Sequence, residues 1–163
     1  MNDTLLVVAA IALFIIFFGL LWFARKRSAK ARKWVLVDGS NVMHWHNNTP
    51  NIQPVKDVLK LLKSRGFTAI VMFDANAGYE LFGKYKHDDA FSKLLGLPEK
   101  HIMVVPKGTP ADPFLLSAAR KQRAQIVTND RFRDWAVKFP EVQEHGLLIT
   151  GWYRDGRLHT SLQ

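Results

Sequence analysis

Short apolar runs, each ending in polar or acidic residues, recur along this chain. Val35-Leu36-Val37 gives way to Asp38-Gly39-Ser40-Asn41, Ile70-Val71-Met72-Phe73 to Asp74, and Ile126-Val127-Thr128-Asn129 to Asp130. Runs of this length, rich in β-branched residues, predict buried strands. Five are expected: Trp34–Asp38, Thr68–Phe73, Ile102–Val105, Gln125–Asn129 and Leu147–Thr150. Helical spacing fills the gaps. Val55, Val58, Leu59 and Leu62 share one face behind Pro54, a favoured first-turn residue, and Gly66 stops that helix. Further helices are predicted near Asp88–Leu95, from Pro113 to Arg123, and following Asp130, with an Asp155-Gly156 hairpin turn near the end. Alternating strands and helices predict an α/β fold: a central, mainly parallel sheet between helical layers.

The first segment follows a different pattern. Thr4 to Ala24 is an uncharged, apolar run of 21 residues. At about 1.5 Å per helical residue it spans roughly 30 Å, the thickness of a bilayer core. No Lys or Arg precedes it, as a cleaved signal would require, whereas Arg25-Lys26-Arg27 and further basic residues follow. The expected organisation is a transmembrane anchor (1–24), a basic juxtamembrane linker (25–33) and one domain (34–163). The positive-inside rule places the domain in the cytoplasm and the N-terminus outside.

Charge and cysteine content narrow the chemistry. Residues 34–163 hold 17 basic and 13 acidic side chains, a net +4, so much of the chain's +9 belongs to the linker. That excess is modest and compatible with a polyanionic partner. With no cysteine, disulfides and thiolate zinc sites are excluded.

In open α/β sheets, ligands sit outside the carboxyl ends of the strands. Asp38, Asp112 and Asp130 fall at such ends or in the loops leaving them, with Asp134 four residues after Asp130. If a helix starts at Asp130, both of its carboxylates project from one face. Helix capping is the alternative for Asp130 and Asp112 taken singly. Together, crowded carboxylates repel unless a cation sits among them, and oxygen-only ligands point to Mg²⁺ or Mn²⁺. Phosphodiester hydrolysis is a natural use of such a site. Ser40, Asn41, Thr128 and Asn129 supply polar groups at the same edge, Arg131 and Lys107 flank the acids, and these six are the expected substrate contacts.

Asp38-Gly39-Ser40-Asn41 after a strand, Asp112 opening a helix, and Thr128-Asn129-Asp130 with Asp134 resemble the PIN-like NYN ribonucleases, in the branch of the CCCH zinc-finger ribonucleases of animals. The resemblance covers about Trp34 to Thr150. It implies a three-layer α/β/α domain and Mg²⁺-dependent cleavage of RNA, with Asp38, Asp112, Asp130 and Asp134 as the acidic centre and Asn41 as polar support. The chain departs from that branch at Ala111-Asp112, where two adjacent acids are common, and in lacking a Cys-rich finger. The expectation is a membrane-anchored endoribonuclease whose partners are RNA, the membrane and a second copy of the chain. The alternative is an RNA-binding module that cleaves weakly or not at all.

Other residues carry less. Asp74 reads as a turn residue or as support for the acids. His44-Trp45-His46 lies near the expected site without further ligands for zinc, so substrate contact or loop packing is expected there rather than metal binding. Lys84, Lys86 and His87, with Tyr79 and Phe82, read as a solvated surface or an RNA track. A phosphatase would place two aspartates one residue apart where Asp38 is followed by Gly39-Ser40, and no Gly-x-Gly-x-x-Gly follows any strand.

Overall fold

The computed structural model describes residues 11, 13–19 and 33–162. The chain divides into two compact units, Met1–Arg32 and Lys33–Gln163. The expected anchor, Thr4–Ala24, lies largely outside the described residues. Within it, residues 13–19 are helical and exposed. Among the described residues, no helix is long and apolar enough to cross a membrane.

In the second unit, five parallel strands are ordered β3-β2-β1-β4-β5. They are β1 (Lys33–Asp38), β2 (Phe67–Phe73), β3 (Ile102–Val104), β4 (Gln125–Val127) and β5 (Leu148–Ile149). Central β1 aligns Val37 with Val71 of β2 on one side and Val127 of β4 on the other. Successive side chains point to opposite faces, and both faces are covered. Val35, Val37, Val71 and Phe73 pack with Val55, Val58 and Leu62 of one helix and Phe91 of another. Leu36, Met72 and Ile126 pack with Leu115, Leu116 and Ala119 of a third. Two-sided burial is why these strands read as continuous apolar runs.

The helices are α1 (Gly39–Val42), α2 (Gln53–Ser64), α3 (Ala77–Phe82), α4 (Asp88–Leu95) and α5 (Asp112–Gln122). α2 follows the expected periodicity, with Pro54 in its first turn and Gly66 beyond its end at φ 78°. A two-stranded antiparallel ribbon, β6 (Gly151–Arg154) and β7 (Arg157–Thr160), follows the sheet.

The predicted helix after Asp130 is not there. Phe132 adopts a left-handed backbone at φ 49° with its ring buried in the core. That conformation breaks helical propagation. Only a 3₁₀ turn, Arg133–Trp135, follows, and another begins at Pro140. Burying Phe132 overrides a spacing that, in Phe132, Trp135 and Phe139, reads as helical.

Candidate active site

The strand order reverses at β1, so β1 and β4 flank the point where an open α/β sheet binds its ligand. Asp38 ends β1 and stands in that crevice. One carboxylate oxygen accepts the Asn41 backbone N–H at 3.1 Å, capping the four-residue helix α1. The other accepts the Thr128 hydroxyl at 2.9 Å from the end of β4. Thr128 is fully buried, and its hydroxyl oxygen also accepts the Asp130 N–H at 3.1 Å. Asp38 therefore serves as a cap and as part of the acidic edge at once.

Gly39 is required by packing. A Cβ there would lie 2.4 Å from the Phe73 ring, which is itself stacked on Phe91. The Ser40 hydroxyl accepts the Asp74 N–H at 2.8 Å, tying α1 to the end of β2. The Asn41 side-chain oxygen accepts the Trp45 indole N–H at 2.8 Å and the Asn129 N–H at 2.9 Å. Asn129 is committed elsewhere: its amide donates to the Gly151 carbonyl at 2.8 Å and accepts the Gly151 N–H at 3.0 Å.

Asp112 opens α5 but does not cap it, since no side-chain cap bond forms at that end. Its carboxylate instead accepts the Trp135 indole N–H at 3.1 Å. Asp130 accepts the Phe132 N–H at 2.7 Å, which closes an Asx turn rather than starting a helix. Asp134 consequently sits on the 3₁₀ turn and is exposed. Asp74 accepts the N–H groups of Asn76 and Ala77, a turn role at the same edge.

The carboxylates feel one another. Burial, and secondarily the charges of Asp112 and Asp130, raise the Asp38 pKa to about 6, against the pull of its two hydrogen bonds. Burial also raises Asp112. The Trp135 hydrogen bond opposes that shift, and Asp130, Asp134 and Asp74 add to it. Five aspartates from different segments thus share one field, an energetically costly arrangement of the kind concentrated at functional sites. Among the described residues, no three acids or histidines form a ready-made metal cage. The donor chemistry nevertheless suits a hard cation. All donors are oxygens, and among the described residues no hydrogen-bond donor reaches one oxygen each of Asp112 and Asp130. Mg²⁺ commonly takes one or two carboxylates and keeps several waters.

Lys107 and Arg131 are exposed and form no ion pair among the described residues. His44 pairs with Glu80 at 3.0 Å, and the His46 ring lies 4.9 Å from Tyr153. Each histidine thus has a partner of its own. Lys86 lies over the Phe82 ring and Tyr85 packs edge-on against His87, so that segment is largely packed on itself. Sequence reasoning missed Trp135, Trp45 and Gly151. A Cβ on Gly151 would lie 2.0 Å from the Trp45 ring, so Trp45 wedges the loop after β1 against the start of β6. An Asp134-Trp135 pair after an acidic strand end was the one local signal for the first of these. The other two meet across more than 100 residues of chain.

Among the solved structures that share this fold are two of one plant protein. One is the crystal structure of nuclear proteinaceous RNase P 2 (PRORP2) from A. thaliana, 18% identical with a TM-score of 0.60, covering 79% of this chain and 29% of that one. The other is Arabidopsis thaliana nuclear protein-only RNase P 2 (PRORP2), 18% identical with a TM-score of 0.55, covering 95% and 34%. The chain spans about a third of their length, and at this identity the likeness concerns the fold alone. Nothing matches among the curated proteins. The family model of the Zc3h12a-like Ribonuclease NYN domain matches residues 31–160, from the start of β1 to the end of β7. With most of its length matched and an acidic edge at the sheet's switch point, this chain belongs to the Zc3h12a-like ribonuclease NYN family.

Proposed function

We propose that this chain is a membrane-anchored, divalent-metal-dependent endoribonuclease whose acidic centre is Asp38, Asp112, Asp130 and Asp134. The observation that carries the reading is Asp38, half-buried at the switch point and bonded across the crevice to the fully buried Thr128. Burying and crowding carboxylates is costly unless a cation offsets their charge, and such costs concentrate at functional sites.

Asp38, Asp112 and Asp130, with Asp134, would hold Mg²⁺ or Mn²⁺. When bound, such an ion polarises the phosphoryl oxygen and lowers the pKa of water. The chain's own residues do the rest. Thr128 and the Asn41 N–H aim the Asp38 carboxylate, and the Trp135 indole aims that of Asp112. Asn41 holds the β4 loop through the Asn129 N–H. Exposed Lys107 and Arg131 meet backbone phosphates at the rim. Above pH 6 Asp38 is ionised and ready to ligate.

The full chain should cleave RNA with Mg²⁺ or Mn²⁺, EDTA should stop it, and Asp38→Asn should abolish cleavage with the fold intact. Undiminished activity in that variant sinks the assignment. A second reading, an RNA-binding module that does not cleave, is favoured by the absence of a ready-made three-ligand cage among the described residues. RNA binding without cleavage under any metal would select it.

The anchor proposal rests on the uncharged run Thr4–Ala24 and the basic flank behind it. Resistance to carbonate extraction, with the domain digested by protease only from the cytoplasmic side, is the expected result. Sedimentation of the full chain tests the second-copy expectation.

A further inference from the structure

The β6–β7 ribbon begins at the acidic edge and has two chemically distinct faces. Gly151, its first residue, is bonded in both directions to Asn129, the neighbour of Asp130. The register pairs Trp152 with His159, Tyr153 with Leu158 and Arg154 with Arg157. Alternation along each strand puts Trp152, Arg154, Arg157 and His159 on one face, and all four are exposed. Tyr153 and Leu158 are half-buried on the other. That inner face is fastened down: the Tyr153 hydroxyl donates to Asp57 of α2, and Leu158 packs on the core.

The outer face has no such role. Trp152 leaves half its surface exposed, with its ring plane 13° from that of His159 and the centroids 5.9 Å apart. Beyond this flat aromatic pair come two guanidinium groups and, at the turn, a single carboxylate, Asp155, 4.0 Å from Arg154. The face combines ring surfaces on which bases stack with cations that meet phosphates.

We infer that the outer face of the β6–β7 ribbon is a subsite for single-stranded RNA, with Trp152 and His159 as the stacking platform and Arg154 and Arg157 as phosphate contacts. The inference rests on the ribonuclease reading above, and two observations choose the occupant. The charge of the face suits a polyanion. The ribbon also starts beside the acidic edge, because its first residue, Gly151, is bonded in both directions to Asn129, the neighbour of Asp130. Duplex RNA presents no unstacked bases and gains nothing from the platform.

The test is binding by the full chain, in EDTA so that no cleavage occurs, of a fluorescein-labelled single-stranded RNA of mixed sequence, read by anisotropy. Trp152→Ala should weaken binding roughly five- to hundredfold, the range expected for losing one stacked base. Trp152→Phe should restore most of it, and duplex RNA should bind both forms alike. Arg154→Gln with Arg157→Gln should flatten the dependence of log affinity on log salt by about 1.4, the value for two single-strand phosphate contacts. With metal present, Trp152→Ala should raise KM for long single strands and leave kcat unchanged. Wild-type affinity in both Trp152→Ala and the double arginine variant overturns the subsite, as does absence of binding by the wild type. In that case the aromatic pair only stabilises the hairpin, and loss of cleavage in Asp38→Asn still upholds the nuclease. Trp152-dependent binding by a chain that cleaves nothing upholds the subsite and rejects the nuclease.

Discussion

Replacing Asp38 with Asn should stabilise the metal-free protein at neutral pH and not at pH 4. Burial raises the Asp38 pKa from 3.8 to about 6. Between those values the folded chain keeps a proton that the unfolded chain has released. Stability therefore falls as pH climbs from about 4 to about 6 and then levels off. Two pKa units correspond to about 3 kcal/mol. The substituted amide keeps most of the hydrogen bonding. Its oxygen can accept the Asn41 N–H, and its NH₂ can donate to the Thr128 hydroxyl, which has acceptor capacity to spare. Allowing about 1 kcal/mol for imperfect geometry, the net gain above pH 7 is about 2 kcal/mol, or roughly 6–8 °C in Tm. The assay is thermal unfolding of wild type and Asp38→Asn in chelator, followed by circular dichroism from pH 4 to pH 8. The variant should melt higher at pH 8, and the curves should converge near pH 4. An equal offset at both ends, or none at pH 8, would refute the claim that a partly desolvated charge at Asp38 strains the fold.

Three further substitutions probe how the acids are held. Thr128→Val removes the hydroxyl that donates to Asp38 and accepts from Asp130, so the acid limb of the cleavage pH profile should move up, with cleavage near pH 6 falling several-fold and cleavage at pH 8 changing less. An unmoved acid limb would mean that Thr128 does not support the Asp38 anion. Trp135→Phe keeps the ring and loses the N–H on Asp112, and half-maximal cleavage should need several-fold more Mn²⁺. An unchanged metal requirement would count against a ligating role for Asp112. Gly151→Ala drives a methyl into the Trp45 ring, which should cost about 1–3 kcal/mol in urea unfolding and lower cleavage, because Trp45 also holds Asn41.

The strands and the position of Asp38 were legible because their causes are local. A run buried on both faces has to be continuously apolar, and an acid after such a run has to stand at the sheet edge. Helix α2 was legible for the same reason, since Pro54, the Val55–Leu62 spacing and Gly66 each act within a turn. The segment after Asp130 was not. Its aromatic spacing fits a helix, but the core takes Phe132 in a left-handed conformation that no local preference encodes. Trp45 was obscured in a similar way. Between two histidines it reads as a substrate contact or loop packing, but its particular partners, Asn41 and Gly151, are defined by the fold. Asn129, from its place beside Asp130, reads as a substrate contact, but its side-chain hydrogen bonds go to a backbone 22 residues away. Features made by tertiary contact between distant segments leave little trace in a single sequence, and here those contacts aim the carboxylates.

The shared cation site is tested most directly by Mn²⁺ binding to the full chain, followed by the loss of the free-ion signal in electron paramagnetic resonance. Wild type should bind Mn²⁺, and Asp38→Asn and Asp130→Asn should each weaken that binding at least tenfold while remaining folded. Binding that survives unchanged in both variants, or RNA cleavage by a wild type that binds no Mn²⁺ or Mg²⁺, would contradict it.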